Sequence, residues 1–271
     1  MNLPSFDEHL SLLNEFILEL VEDYDIGQLN SWEELDEKVK AFFTPERMDQ
    51  TEALVLGWKK MASYSDGITL THVMCVFLGV FMMPEFHALS PEGQQMAKWI
   101  VLFHDLDKFH IHGKKDTMHA FRSGVLAAKD LPAFGFPVTE QYPALIRTWS
   151  EQTLGAYLAS DGDASPRPDN RKLPEILSGI DQLFGENTPA ALITKTALLH
   201  ISVNVDPHYP TPSPLTTAEI KRCIDSTVLP LLRVMMMGDN EGWALFEPEY
   251  RVRQRRDTLA AFQEFERIIN G

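Results

Sequence analysis

The adjacent residues His104 and Asp105 follow an apolar run, 101–103, and are the strongest candidates for chemistry in this chain. An unpaired carboxylate is costly to bury, and a metal ion is one partner that satisfies a carboxylate and an imidazole together. Adjacent helical residues point about 100° apart, so both side chains reach one ion most easily where a helix ends. The segment 110–113 resembles a turn, which predicts such an end. The pair alone is weak evidence, because it arises by chance in many proteins.

Two further residues make the pair more informative. His72 lies 32 positions before His104 on an apolar segment, so its side chain is expected to point inward. Asp206 lies 101 positions after Asp105, just past the apolar run 197–199. We therefore predict a metal site whose ligands come from three buried helices. Its ligands are His72, His104, Asp105 and Asp206, with Asn204 as the nearest alternative oxygen donor if the last helix is shifted.

The order His, His-Asp, Asp resembles the HD-domain superfamily of metal-dependent phosphohydrolases, an all-α fold. The segment 104–108 looks like the family's His-Asp-hydrophobic-Gly-Lys stretch, except that Asp107 replaces the glycine. The segment 114–124 looks like the downstream helix that often brings another histidine toward the site. The resemblance covers roughly 70–206. It implies a phosphohydrolase that cleaves a small phosphoester, such as a nucleotide.

The donor set indicates the class of metal and the chemistry. Two imidazoles and two carboxylates suit Mn, Fe, Co, Ni or Zn, with Mg less favoured. Such an ion lowers the pKa of bound water toward about 7 and polarises a phosphoryl oxygen. We predict catalytic roles for Asp105, Lys108 and Asp107. Asp107 is expected either to exchange a proton with the leaving group or to form a salt bridge with Lys108.

A local basic cluster within an acidic chain predicts a phosphate site. Its members are Lys108, Lys114, Lys115, His119 and Arg122. His119, Arg122 and Ser123 share one face near a predicted helix start, where free N–H groups favour anions. For His119, a contact with the metal ligands or phosphate and a plain surface position remain equally open.

Two other functions compete with the hydrolase. The first is a di-iron oxygenase on the same fold, which requires extra histidines between the His-Asp pair and the last Asp. Only His110, His112, His119 and His200 are available, and we interpret His200 as structural because its position turns it off the face of Asp206. The second is a non-catalytic sensor or partner-binding module with a vestigial metal site.

Helical spacing of apolar residues and repeated capping signals predict the elements that carry these residues. Capping signals precede helices at Ser5, Ser31, Thr44, Ser90 and Thr216. No strand pattern is sustained, so the predicted class is all-α: an HD-like helical bundle with extra terminal helices. We expect one domain over 1–271, with a core over 68–206 and flanking helices over 1–67 and 207–271. The arginines of the last helix predict a solvated face.

Composition limits the partners. The formal net charge of −15 argues against long nucleic acid and anionic membranes and favours a small phosphorylated substrate. Cys75 and Cys223 fit no zinc spacing and indicate reduced thiols, and no secretory signal is visible. The longest apolar run, 73–83, is shorter than the roughly 20 residues of a membrane span. We predict a cytoplasmic protein; the sequence does not indicate its oligomeric state.

Overall fold

A computed structural model describes residues 3–109, 116–159, 166–208, 211 and 213–271. The helices are, in chain order, α1 (Phe6–His9), α2 (Ser11–Asp25), α3 (Trp32–Phe42), α4 (Pro45–Leu54), α5 (Trp58–Ser63), α6 (Ile68–Met82), α7 (Pro84–His87), α8 (Pro91–Phe103), α9 (His119–Asp130), α10 (Tyr142–Leu154), α11 (Leu173–Phe184), α12 (Pro189–Leu199), α13 (Thr217–Cys223), α14 (Val228–Trp243) and α15 (Pro248–Asn270). In the described ranges the strands are one short antiparallel pair, β1 (Tyr157–Leu158) and β2 (Arg167–Pro168). The predicted all-α class is therefore confirmed.

Side-chain caps begin several helices where the sequence predicts them. Ser31 accepts a hydrogen bond from the Glu34 amide at the start of α3. Thr216 and Glu219 form a complete capping box at the start of α13. These oxygens satisfy amide groups that the first turn of a helix leaves without a partner.

Two predicted helices are interrupted. The first breaks at Leu10, which leaves helical geometry at φ −126° and ψ 45°. The helix that follows the capping signal at Thr216 stops after Cys223, and a new helix begins at Val228. There the Asp225 carboxylate accepts hydrogen bonds from the Thr227 and Val228 amides, so it caps a new helix instead of continuing the old one.

Helix α6 lies at the centre of the fold, and α14 packs closely along it. A β-carbon at Gly238 would collide with the Val80 side chain, and one at Gly242 would lie 3.0 Å from a valine methyl group of α6. The two backbones approach this closely because α14 has glycine at both positions. The contact places Asp239 of α14 opposite His72 of α6.

A second close contact joins α9 to α12. A β-carbon at Gly124 of α9 would lie only 3.0 Å from the β-carbon of Leu198. Glycine therefore lets α9 lie directly against the carboxyl-terminal end of α12. This arrangement brings His119, at the start of α9, beside His200, which follows α12.

The segment Trp58–Met82 is long and apolar enough to cross a membrane by length and composition alone. In this fold 72% of its most apolar window is buried. Helix α6, which forms most of the segment, contacts α2, α3, α5 and α14. The apolar side chains of α6 therefore have protein partners.

Candidate metal centre

Three histidines present their Nε2 atoms to one buried region, and each is held by its other ring nitrogen. In each case Nδ1 lies 2.7 or 2.8 Å from the backbone carbonyl three residues earlier. These pairs are His104 with Val101, His119 with Asp116, and His200 with Ala197. A carbonyl only accepts, so Nδ1 carries the proton and, in the neutral ring, Nε2 keeps a free lone pair. This is the orientation that metal-ligating histidines adopt.

The carboxylate of Asp105 lies between these rings and is 1% exposed. Its Oδ1 is 3.1 Å from His119 Nε2 and 3.8 Å from His200 Nε2. Its Oδ2 is 3.5 Å from His104 Nε2 and 3.6 Å from His72 Nε2. The two oxygens of one side chain therefore face different pairs of histidines.

Asp239 supplies a second carboxylate at the His72 side. Its Oδ1 lies 2.9 Å from His72 Nε2. The indole of Trp243, one turn further along α14, stacks on the His72 ring at 4.1 Å between ring centroids. The indole thus covers one face of this imidazole and fixes its plane.

Two groups of side chains could each hold a metal ion. Within each group the ligand atoms lie within 4.8 Å of one another. The groups are His72, His104 and Asp239, and Asp105, His119 and His200. His104 Nε2 and Asp105 Oδ1 are buried and have no hydrogen-bond partner among the described residues. Buried polar atoms of native proteins are normally paired, so these unpaired atoms fit residues that bind a cation.

The protonation states also favour cation binding. Burial lowers the pKa of His72, and burial lowers the pKa of His200 to about 3. Burial alone would raise the pKa of Asp105, but Lys108 and the nearby imidazoles outweigh it and hold that pKa well below its ordinary value. The pKa of Asp239 is lowered in the same way, against burial, by His72. At neutral pH these two imidazoles are neutral and both carboxylates are charged, as metal ligation requires.

A cavity of about 700 Å³ opens beside the two groups. Its lining includes Thr69, Lys108, His119, Asp206, Asp239 and Trp243. Lys108 Nζ lies 2.6 Å from Asp105 Oδ2, and Asp105 raises the pKa of Lys108 against the effect of burial. This volume is typical of pockets for small molecules. The cation of Lys108 thus lies between the candidate ligands and the cavity.

The structure does not bring Asp206 into either ligand group. The chain leaves its helix at His200, so Asp206 lies on the following loop instead of the expected helix. Its Oδ2 accepts a hydrogen bond from Gln254 Nε2 at 2.7 Å, and its Oδ1 accepts one from the His208 amide. Asp206 still lines the cavity, but the position expected for it beside His72 belongs to Asp239. Asn204, the alternative donor, accepts from the Thr211 amide.

Asp107 and Arg122 also lie elsewhere than predicted. Asp107 pairs with Lys60 and Arg122 instead of Lys108, and it does not line the cavity. Arg122 donates to the Asp107 carbonyl at 2.9 Å and pairs with Asp116, and its guanidinium stacks over the Phe109 ring. These contacts use the charge of Arg122 inside the protein, so it is not available for the predicted phosphate contact.

Four residues considered from the sequence lie outside the described part of the chain. They are His110, His112, Lys114 and Lys115. The other predicted residues are placed: His72, His104 and Asp105 come together as expected, Lys108 joins them, and His119 faces Asp105.

Sequence reasoning missed His200 and Asp239 as candidate ligands. A usable signal exists for His200, because it follows an apolar run as His104 does. Asp239 follows the apolar segment 234–238, where an isolated acid needs a partner. Neither signal identifies the helix that each residue faces, and that information requires the packing of α14 on α6 and of α9 on α12.

Searches against protein-family models, curated proteins and solved structures found no significant match to this chain.

Proposed function

We propose that this protein is an HD-type, metal-dependent phosphohydrolase that holds two divalent ions and cleaves a small phosphoester. One observation carries the proposal: the Asp105 carboxylate offers one oxygen to each of two ligand groups beside a cavity that contains Lys108. A carboxylate in that position is suited to bridge two ions. Paired ions recur in phosphatases and nucleases, where they act on phosphate esters.

The charge of the site supports an anionic substrate. Asp105 and Asp239 together supply two negative charges, which offset only half of the charge of two divalent ions. Lys108 adds a further positive charge at the cavity. The occupied site would therefore attract an anion, although the chain as a whole carries a net charge of −15.

Different residues of the site have different roles in the proposed hydrolysis. Bound divalent ions supply an activated water and Lewis-acid polarisation of the phosphoryl group. Lys108 neutralises charge that develops on the phosphoryl oxygens. Trp243 covers His72 and excludes water from that side. The carbonyl contacts of the three Nδ1 atoms hold their rings in place, so little reorganisation is needed during the reaction.

The types of donor atom limit the set of suitable metals but do not select one of them. Four imidazoles and two carboxylates suit Mn, Fe, Co, Ni and Zn, whereas Mg binds mainly to oxygen ligands. Mn²⁺, Fe²⁺ and Zn²⁺ are the first ions to test.

A di-iron oxygenase is the second candidate, and a specific observation favours it. The extra histidines that such a site needs are present, because His119 and His200 face Asp105 with their Nε2 atoms 3.1 Å apart. Substrate-dependent oxygen consumption by Fe²⁺-loaded protein, without phosphate release from any ester, would establish this function in place of the hydrolase.

The hydrolase is tested by comparing Asp105→Ala with the natural chain. Both proteins are loaded with Mn²⁺, Fe²⁺ or Zn²⁺, and phosphate release is measured from a panel of nucleotides and sugar phosphates. We expect loss of the bridging carboxylate to lower the rate at least about 100-fold. Asp23→Ala is the control, because Asp23 forms an exposed ion pair with Lys38 on a different helix. Equal activity of Asp105→Ala and the natural chain would refute the proposal, and so would a natural chain inactive on the whole panel.

A further inference from the structure

The amino-terminal end of α6 faces the same cavity as the metal-binding groups. We infer that this helix end, the Thr69 hydroxyl and the Lys108 ammonium together bind the terminal phosphate group of a small substrate. The inference rests on the proposed function and places the phosphate at one side of the metal centre.

The first observation is the position of the helix end. Helix α6 begins at Ile68, after Gly67 in the left-handed conformation at φ 93°; the Ile68 amide donates to the Ser65 carbonyl, and within the described ranges no side chain caps the helix. Ser65, Ile68 and Thr69 all line the cavity. The positive dipole of a helix start, and those first-turn N–H groups that have no carbonyl partner, favour an anion. An anion in this cavity would lie at an uncapped helix start.

The second observation is the hydroxyl of Thr69. This residue is only 4% exposed and lines the cavity, and within the described ranges its hydroxyl has no hydrogen-bond partner. Thr71, two residues later, differs because its hydroxyl donates to Asp36 Oδ1 at 2.7 Å. The Thr69 hydroxyl is not one of the fully buried unpaired groups, so it is open to the cavity, where it can donate a hydrogen bond to a phosphate oxygen.

The third observation is convergence. Thr69 lies one helical turn before His72, so both side chains project from the same face of α6. Lys108 contacts Asp105 Oδ2, to which His72 Nε2 is also close. Among the residues that line the cavity in the described ranges, Lys108 is the only lysine or arginine. The hydroxyl, the cation and the helix end therefore line the same cavity as Asp239 of the His72 ligand group.

The acidic residues of the cavity leave this side as the most favourable one for an anion. Asp206 lies on the loop that follows α12 and repels a phosphate there. Asp116 is paired with Arg122, and Asp239 contacts His72. The sequence predicted a phosphate site at the start of α9. That position is less suitable for an anion, because Arg122 is already paired with Asp116.

The test is calorimetric titration of inorganic phosphate into Mn²⁺-loaded and metal-free protein. Thr69→Val keeps the shape of the side chain and removes the hydroxyl. We expect the phosphate Kd to rise about 10-fold, as for a lost hydrogen bond to a charged group. Thr69→Ser keeps the hydroxyl and should bind within about twofold of the natural chain. Thr71→Val is the matched control, and its Kd should not change.

Circular dichroism establishes folding of each variant, and Thr69→Ala replaces Thr69→Val if the valine variant does not fold. Unchanged phosphate affinity in the folded hydroxyl-free variant overturns the inference. The result is distinct from failure of the proposed function. Phosphate binding that depends on Thr69, in a protein that hydrolyses no ester, supports the anion site and refutes the hydrolase. Ester hydrolysis with an unchanged KM and an unchanged phosphate Kd in Thr69→Val refutes only the anion site.

Discussion

Buried carboxylates are treated in opposite ways in two regions of this protein. Glu241 of α14 is 1% exposed, and both of its oxygens are paired: Arg251 Nε lies 3.1 Å from Oε2 and Arg255 Nη1 lies 3.0 Å from Oε1. Arg255 also binds both oxygens of Glu85 at 2.7 Å. At Asp105, by contrast, Lys108 pairs with Oδ2 alone, and in the described part of the chain Oδ1 has no hydrogen-bond partner and lies near two imidazole nitrogens.

The comparison distinguishes a buried carboxylate that stabilises the fold from one that we propose binds a metal ion. The Glu241 network is closed, because protein cations satisfy every carboxylate oxygen, and it holds α15 against α14. The Asp105 centre is open on one side: Lys108 pairs with Oδ2, but Oδ1 and the imidazole Nε2 atoms face one another, and within the described ranges no cation of the chain is paired with Oδ1 except through those imidazoles. A buried carboxylate therefore indicates a binding site when its own protein leaves one of its oxygens without a partner.

The largest expected change in stability is at the closed network. Glu241→Ala removes the carboxylate partner of Arg251 and one of the two carboxylate partners of Arg255, which keeps Glu85, and we expect a loss of about 2–3 kcal/mol in the free energy of unfolding. This expected loss is at or below the lower end of the range for breaking a buried ion pair, because both arginines are partly exposed. Urea unfolding measures it.

Glu266→Ala is the control for this prediction. It breaks the more exposed Arg233–Glu266 pair and should cost no more than about 0.5 kcal/mol. A loss below 1 kcal/mol in Glu241→Ala, equal to that of the control, would show that the closed network does not stabilise the fold.

Asp130 is an intermediate case: it is a buried carboxylate that forms no ion pair with any residue that the structure describes. Burial raises its pKa to about 7, although the Leu56 amide donates to it. The folded state therefore retains a proton that the unfolded state has lost, and stability falls as pH rises from about 4 to about 7. Asp130→Asn should remove this slope and be more stable than the natural chain at pH 8 by about 1–2 kcal/mol. Urea unfolding at several pH values checks the sign, and parallel curves for the two proteins would contradict it.

The smallest effect is expected at Asp107, the carboxylate that the sequence predicts to be catalytic. Its charge is paired with Lys60 and Arg122 and does not line the cavity. Asp107→Asn should keep phosphate release within about twofold and lower stability by about 0.5–1 kcal/mol. A fall in the rate of phosphate release as large as that of Asp105→Ala would indicate that Asp107 is catalytic. It would contradict the distinction between fully paired and partly unpaired carboxylates.

The sequence predicts the helical class and many helix starts because these depend on local interactions. Ser31 and Thr216 cap helices through neighbours three residues away, and such contacts can be found along the chain. The interruption at 224–227 is less visible, because Asp225 competes with a helix only once its side chain turns back on the amides of Thr227 and Val228.

The candidate site is harder to predict than the helices. His104 and Asp105 can be recognised because they are adjacent after an apolar run. His72 can be recognised because it is a polar residue on an apolar helix. The partner carboxylate is different, since Asp206 satisfies the order of the pattern but lies on a loop. Asp239 reaches His72 only because glycines let α14 approach α6. Such long-range packing leaves no periodic trace in a single sequence.

The most direct test of the open centre is the number of metal ions that the protein binds. Protein dialysed against Mn²⁺ and then freed of excess metal is analysed for manganese per chain. We predict about two ions in the natural chain and about one in His200→Ala, because His200 belongs to only one ligand group. His87→Ala, on the exposed side of α7, should keep about two. No tightly held metal in the natural chain, or an equal count in His200→Ala, would contradict a centre in which Asp105 joins two ligand groups.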